Sequence, residues 1–329
     1  MSKPYLNPRM LALYLGPVAA LCAFLLMSQN NGEFAPAVTM AVTLWVVIWW
    51  IFEPIPIPAT SLLPMALLPL FGVLTAKELG AAYGNPLVLL MLGGFILAAA
   101  LERSGAHRRI ALYMVRAFGG TSPRRLVFGF MCASAFLSMW ISNTSTTLML
   151  LPVALAALEK TDDAKLAGPL LLGIAYAASI GGIGTPIGTP PNMVFMGVYS
   201  EVTGGAVSFG QWMLWAIPVV LIMLPIAGLW ITRGVSKSGG VALPEAEAWS
   251  AAERRVLIVF SITALLWMTR KGPWGGWSEW LSLPYANDAM VAFLAVIALF
   301  VIPSGKQDSN GEPERLLDWQ SAERIPWGM

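Results

Sequence analysis

Charge is scarce in this chain of 329 residues: Asp, Glu, Lys and Arg make up 12% of it, against roughly a quarter of an ordinary soluble domain. Apolar residues make up 57%, which excludes a soluble enzyme fold and reads as an all-α integral membrane protein. There are two cysteines, Cys22 and Cys132, both in apolar surroundings, so neither a disulfide framework nor a thiolate metal site has support. The single histidine, His107, stands beside Arg108 and Arg109 and is expected to be a solvated interfacial residue. A formal net charge of +2 gives no reason to expect a nucleic-acid partner. Asp, Glu, Lys, Arg and His are missing altogether from Leu126 to Leu158 and from Leu166 to Ser200. That gap excludes a buried proton relay there, and with it the paired carboxylates or His-containing metal spacing of an intramembrane enzyme.

Long hydrophobic runs fill the rest. At roughly twenty apolar residues per crossing, spans are predicted near 9–28, 36–52, 57–74, 86–102, 168–197, 210–232, 255–270 and 286–303. The N-terminal run is long enough to span and lacks a convincing small-residue cleavage site, so it reads as the first membrane helix. Lys3 and Arg9 precede it, and Arg103, Arg108, Arg109, Arg116, Arg124 and Arg125 crowd after the fourth span. Both groups are therefore placed in the cytoplasm. Arg270 and Lys271 are the exception, a basic pair on the predicted outer side. Residues 104–120 are predicted to form an amphipathic helix on the inner surface, its arginines reaching the lipid headgroups.

Two interruptions carry the chemistry. The first is Ile141-Ser142-Asn143-Thr144-Ser145-Thr146-Thr147, in the middle of the apolar stretch 128–158. One helix over that stretch would be about 46 Å long, against a hydrocarbon core of about 30 Å. Arg124 and Arg125 before it, and Lys160 and Lys165 after it, place both its ends on the cytoplasmic side. A re-entrant pair of half-helices with its tip at Ser142-Asn143-Thr144 is preferred to one long tilted helix. Such a tip exposes carbonyls from the first half and free N–H groups from the second, a cation site beside an anion site.

The second interruption is Ser179-Ile180-Gly181-Gly182-Ile183-Gly184-Thr185-Pro186-Ile187-Gly188-Thr189-Pro190-Pro191-Asn192. At ~3 kcal/mol per proline and ~1 per glycine, a continuous helix is untenable there. The predicted unwinding frees carbonyls near Gly188 for a hard cation and leaves the Thr189 hydroxyl for a neighbouring ligand.

The runs Phe136-Leu137-Ser138-Met139-Trp140-Ile141-Ser142-Asn143-Thr144, Gly173 to Gly182, and Gly188-Thr189-Pro190-Pro191-Asn192 together resemble the divalent anion:sodium symporter family. The resemblance covers essentially the whole chain. It implies an inverted-repeat, elevator-type transporter in the cytoplasmic (inner) membrane, a homodimer at full length, coupling Na⁺ to a divalent anion. Four-carbon dicarboxylates such as succinate, malate or fumarate are the implied substrates; sulfate or another oxyanion, or a non-transporting membrane fragment, are the alternatives. Carried across by motif, Ser138, Ser142, Asn143 and Gly188 would hold Na⁺, while Asn143, Thr144, Thr189 and Pro190 would contact the substrate carboxylate. Thr185-Pro186 departs from the family, which usually continues with aliphatic residues there.

On this pattern 1–35 is an N-terminal helix and 36–232 the first repeat: scaffold 36–103, arm 104–122, hairpin 124–158, unwound helix 168–197 and helix 210–232. A linker at 233–253 follows, then the start of a second, incomplete repeat at 254–329. A second Ser-Asn-Thr hairpin and its unwound partner are not found before Met329. This chain alone is therefore expected to show no Na⁺-dependent succinate uptake in proteoliposomes.

Overall fold

The computed structural model describes residues 7–29, 33–119, 122–159, 165–235, 248–272, 275–307, 311 and 313–325. They fall into two units that divide between Asn85 and Pro86.

The first unit holds α1 (Pro8–Gln29), α2 (Phe34–Phe52), α3 (Ile57–Thr60), α4 (Leu62–Leu70) and α5 (Ala76–Tyr83). Trp49 of α2 donates its indole N–H to the Ala12 carbonyl of α1 at 3.1 Å, so the two helices pack side by side. Glu53 ends α2 in the left-handed region, with φ of 45°, and the prolines that follow prevent helix from resuming before Ile57. The span predicted over 57–74 stops at Leu70 because Gly72 turns the chain with φ of 71°. Thr75 and Glu78 then form a reciprocal capping box that starts α5.

The second unit begins with α6 (Pro86–Ser104), α7 (Ala106–Gly119), α8 (Pro123–Ser138) and α9 (Asn143–Leu158). It continues through α10 (Ala167–Gly182), α11 (Pro190–Thr203), α12 (Phe209–Ile231) and α13 (Ala251–Thr269). After α14 (Trp277–Trp280) and α15 (Asp288–Val301) come the antiparallel strands β1 (Pro303–Gln307) and β2 (Pro313–Arg315), then α16 (Trp319–Ala322). The core lies around α8, where Leu126, Val127, Phe130, Met131 and Leu137 are all fully buried. Its neighbours are α7 and α10. Ser134 of α8 donates to the Ile174 carbonyl of α10 at 2.8 Å, tying these two helices in mid-core.

The outer faces are apolar instead. Along α12, Leu214 is 73% exposed, Leu221 65% and Ile226 61%, and its 23 residues reach about 34 Å. An apolar stripe of that length has no stable place in water and matches a bilayer. Among the described residues, Pro8–Gln29, Phe34–Phe52, Phe209–Ile231 and Ala76–Ser104 are long and apolar enough to cross one, the last read through the turn at Gly84 and Asn85. The chain is a multi-pass membrane protein.

Two sequence expectations need correcting, and a third residue finds a partner. His107 is buried, with Nδ1 2.9 Å from the Leu101 carbonyl of α6, on a side of α7 that shares a cavity with Glu102 of α6 and the first turns of α9. Of the α7 arginines, Arg109 pairs with Glu253 of α13 at 2.8 Å and lies over the Trp249 ring instead of reaching outward. Arg270, the outlier of the charge pattern, is neutralised within the fold: its guanidinium meets both Asp288 oxygens, at 2.5 and 3.0 Å, and donates to the Ala286 carbonyl.

Candidate functional site

The 128–158 stretch is two helices. α8 stops at Ser138, and α9 starts at Asn143 with Ser142 as its N-cap, the Ser142 hydroxyl accepting the Ser145 N–H at 3.2 Å. Ser-Asn-Thr breaks the helix because a short polar side chain can satisfy freed backbone donors locally. Across the break, Ser138 Oγ donates to Asn143 Oδ1 at 2.6 Å. That bond fixes the amide: with its oxygen turned to Ser138, its N–H₂ group faces elsewhere and remains a donor.

The 168–197 stretch is also interrupted. α10 ends at Gly182, the chain turns through 183–189, and α11 begins at Pro190 with Thr189 as N-cap. Proline at the first helical position loses nothing, because its missing N–H would be unpaired there in any case. Thr189 does not use its side chain to cap, so the hydroxyl is left for other partners.

The two breaks meet. A Cβ on Gly188 would lie 2.4 Å from the Gly182 carbonyl oxygen and 3.0 Å from that of Ser138. A Cβ on Gly182 would lie 2.5 Å from Asn143 Oδ1. Backbone oxygens and an amide oxygen therefore share one small volume that any side chain would fill. Ser138 is fully buried, Ser142 and Asn143 are half-buried, and Thr144 is exposed. Thr189 and Pro190 are half-buried at the start of α11. Of the predicted residues, Ser138, Asn143 and Gly188 are brought together by these contacts, Ser142 caps the adjoining helix, and Thr144, Thr189 and Pro190 stand at the two helix starts.

Three further residues hold the arrangement, and sequence reasoning gave them no such role. Thr185 hydrogen-bonds the Met139 carbonyl just beyond the end of α8. Asn192 donates to the carbonyls of Gly182 and Thr185, both at 2.8 Å, closing the turn on itself. Trp212 of α12 donates to the Ile183 carbonyl at 2.8 Å. Trp140 packs against the rings of Phe209 and Phe260. The one available signal was an asparagine directly after Thr-Pro-Pro in an apolar run, since a buried amide needs partners.

Thr185→Val keeps the shape and removes the hydroxyl, leaving the Met139 carbonyl without it. A loss of about 1–3 kcal/mol is expected, read as a lower melting temperature of the detergent-purified chain; an unchanged melting temperature would show that this contact does not hold the two breaks together.

Neutral oxygens from two broken helices can ligate a hard cation, and two helix N-termini beside them can hold an anion. The citrate transporter family model matches residues 47–309. The sodium-dependent dicarboxylate transporter SdcS of Staphylococcus saprophyticus is 36% identical over 350 aligned positions, covering 100% of this chain and 66% of that protein. The protein of the same name from Staphylococcus aureus MRSA252 is 35% identical, covering 99% of this chain and 66% of its own length. The chain thus spans about two thirds of the curated relatives it matches. With these matches beside the paired helix breaks, the chain belongs to the citrate transporter family, among the divalent anion:sodium symporters, a family of transporters and not of enzymes.

Proposed function

We propose that this chain supplies a Na⁺ site and part of a dicarboxylate site in a sodium-coupled symporter of the inner membrane. The observation that carries the reading is the meeting of Ser138, Asn143 and Gly188 at two helix breaks, in two stretches of sequence without Asp, Glu, Lys, Arg or His. In this reading Ser138, Ser142 and Asn143 offer side-chain oxygens and Gly188 a backbone carbonyl to Na⁺, an uncharged oxygen set suited to a hard monovalent ion. The substrate carboxylate lies against the Asn143 amide N–H₂, Thr144 and the start of α11 at Thr189 and Pro190, where helix dipoles favour negative charge. Na⁺ bound alongside offsets the charge of the dianion, which makes the binding of the two mutually dependent.

Residues 124–158 act as a re-entrant hairpin and 168–197 as an unwound helix of the first of two inverted repeats. The full-length carrier works as a homodimer, moving these elements past a scaffold in an elevator cycle. Four-carbon dicarboxylates are the preferred substrates, in keeping with the name of the relatives; sulfate is the competing reading, because the site offers dipoles and no fixed positive charge.

Uptake by a carrier of the relatives' full length separates the two. Na⁺-driven uptake of labelled succinate is expected to be blocked by malate or fumarate and little affected by equal sulfate. Asn143→Ala is expected to lower uptake at least tenfold. Sulfate displacing succinate at equal concentration, or an Asn143→Ala carrier of normal rate, would overturn the reading.

A further inference from the structure

A cavity of about 270 Å³ lies against the first turns of α9. Glu102 at the end of α6, His107 on α7, and Ser145 and Thr146 on α9 give it polar walls, with Ile141 and Met149 beside them. None of the four polar residues belongs to the Na⁺ or carboxylate sites proposed above.

The hydrogen bonds of these groups determine what the cavity can hold. The Leu101 carbonyl can only accept, so the His107 nitrogen 2.9 Å from it, Nδ1, carries the proton and Nε2 presents a lone pair. Burial, with Arg108 adding to it, pushes the His107 pKa below its ordinary value, so the ring keeps that lone pair at neutral pH. Ser145 and the Glu102 carboxyl both line the cavity, within reach of each other. Thr146 is fully buried, and its Oγ1 has no hydrogen-bond partner, an arrangement that folded interiors avoid. The cavity is lined by a carboxyl, an imidazole lone pair and two hydroxyls, and the Thr146 hydroxyl has no partner. An anion would be repelled, and an apolar occupant would leave Thr146 unsatisfied. The volume is enough for several water molecules at about 30 Å³ each.

We propose that this cavity is a second cation site, in which oxygens of Glu102, Ser145 and Thr146 hold Na⁺ with part of its water shell, and His107 accepts a hydrogen bond from that water. Glu102 supplies the negative charge and Thr146 an oxygen that is otherwise unpaired. The site abuts α9, the helix that Asn143 begins, so its occupancy bears on the same break without sharing a ligand with it.

Equilibrium binding of ²²Na⁺ to the purified chain, restricted to the monodisperse fraction, tests this. Two portions of bound Na⁺ are expected: Asn143→Ala removes one and Glu102→Gln the other. Thr146→Val, nearly isosteric and tolerant of burial, weakens the Glu102-dependent portion at least fivefold, and serves if Glu102→Gln fails to fold. Binding in Asn143→Ala that is lost only when Glu102→Gln is added supports the site and is independent of any transport reading. Binding unchanged by both Glu102→Gln and Thr146→Val would overturn it, as would a single portion lost completely with Asn143→Ala.

Discussion

Gly181→Val is expected to destabilise the chain by more than about 3 kcal/mol, beyond the usual range for overpacking a core. A Cβ at position 181 would sit 2.1 Å from the Ala135 carbonyl oxygen and 2.4 Å from the Ala135 Cα. Both are backbone atoms, so no rotamer change can relieve the clash. Either α10 moves off α8 or the last turn of α10 unwinds, and each disturbs Ser138 and Gly188 together. A control lies in the same helix: Gly168 has nothing within 4 Å of its virtual Cβ, so Gly168→Ala should be neutral or gain up to about 1 kcal/mol of helix propensity. Thermal unfolding of both variants in detergent measures the contrast. Equal melting temperatures would mean that α8 and α10 do not approach as closely as described.

Breaking the Arg270–Asp288 pair from one side should have an effect of similar size. Both side chains are about 10% exposed and meet through two hydrogen bonds. Arg270→Met strands the carboxylate, Asp288→Leu strands the guanidinium, and each is expected to cost about 3–5 kcal/mol. Removing both should restore most of the loss, because no unpaired charge is left buried. The double-mutant cycle measures that coupling. Single variants with unshifted melting temperatures, or a double variant as poor as the sum of the singles, would contradict the pairing.

Much of the site could be read in advance because helix breaking is local. Serine and asparagine in an apolar run, and prolines and glycines crowded between Gly181 and Pro191, carry their effect within a few residues. The contacts that join the breaks could not be read this way. Thr185 reaches Met139 across 46 positions and Trp212 reaches Ile183 across 29, and neither spacing has a periodic signature. In the sequence the arginines beside His107 point to a solvated residue, whereas the ring is buried against the Leu101 carbonyl at the end of α6. The Arg270–Asp288 pair could not be read either, because the two residues stand 18 positions apart, across the turn before α15. The strands over 303–315 were missed because Pro-Ser-Gly-Lys-Gln has none of the β-branched alternation that marks a strand. Helix α16 is short but has a recognisable cap, Asp318 accepting the Ser321 N–H at 2.8 Å, and Asp318 and Glu314 both pair with Arg103 at the end of α6.

The most direct measurement is Na⁺ binding to wild type and Asn143→Ala, with Ser138→Ala beside them and choline as the inert cation. The expected result is one fewer Na⁺ per chain in Asn143→Ala and a weakened affinity in Ser138→Ala, with helix content unchanged by circular dichroism. Full retention of Na⁺ by well-folded Asn143→Ala would contradict a sodium site built from the uncharged oxygens at the paired helix breaks.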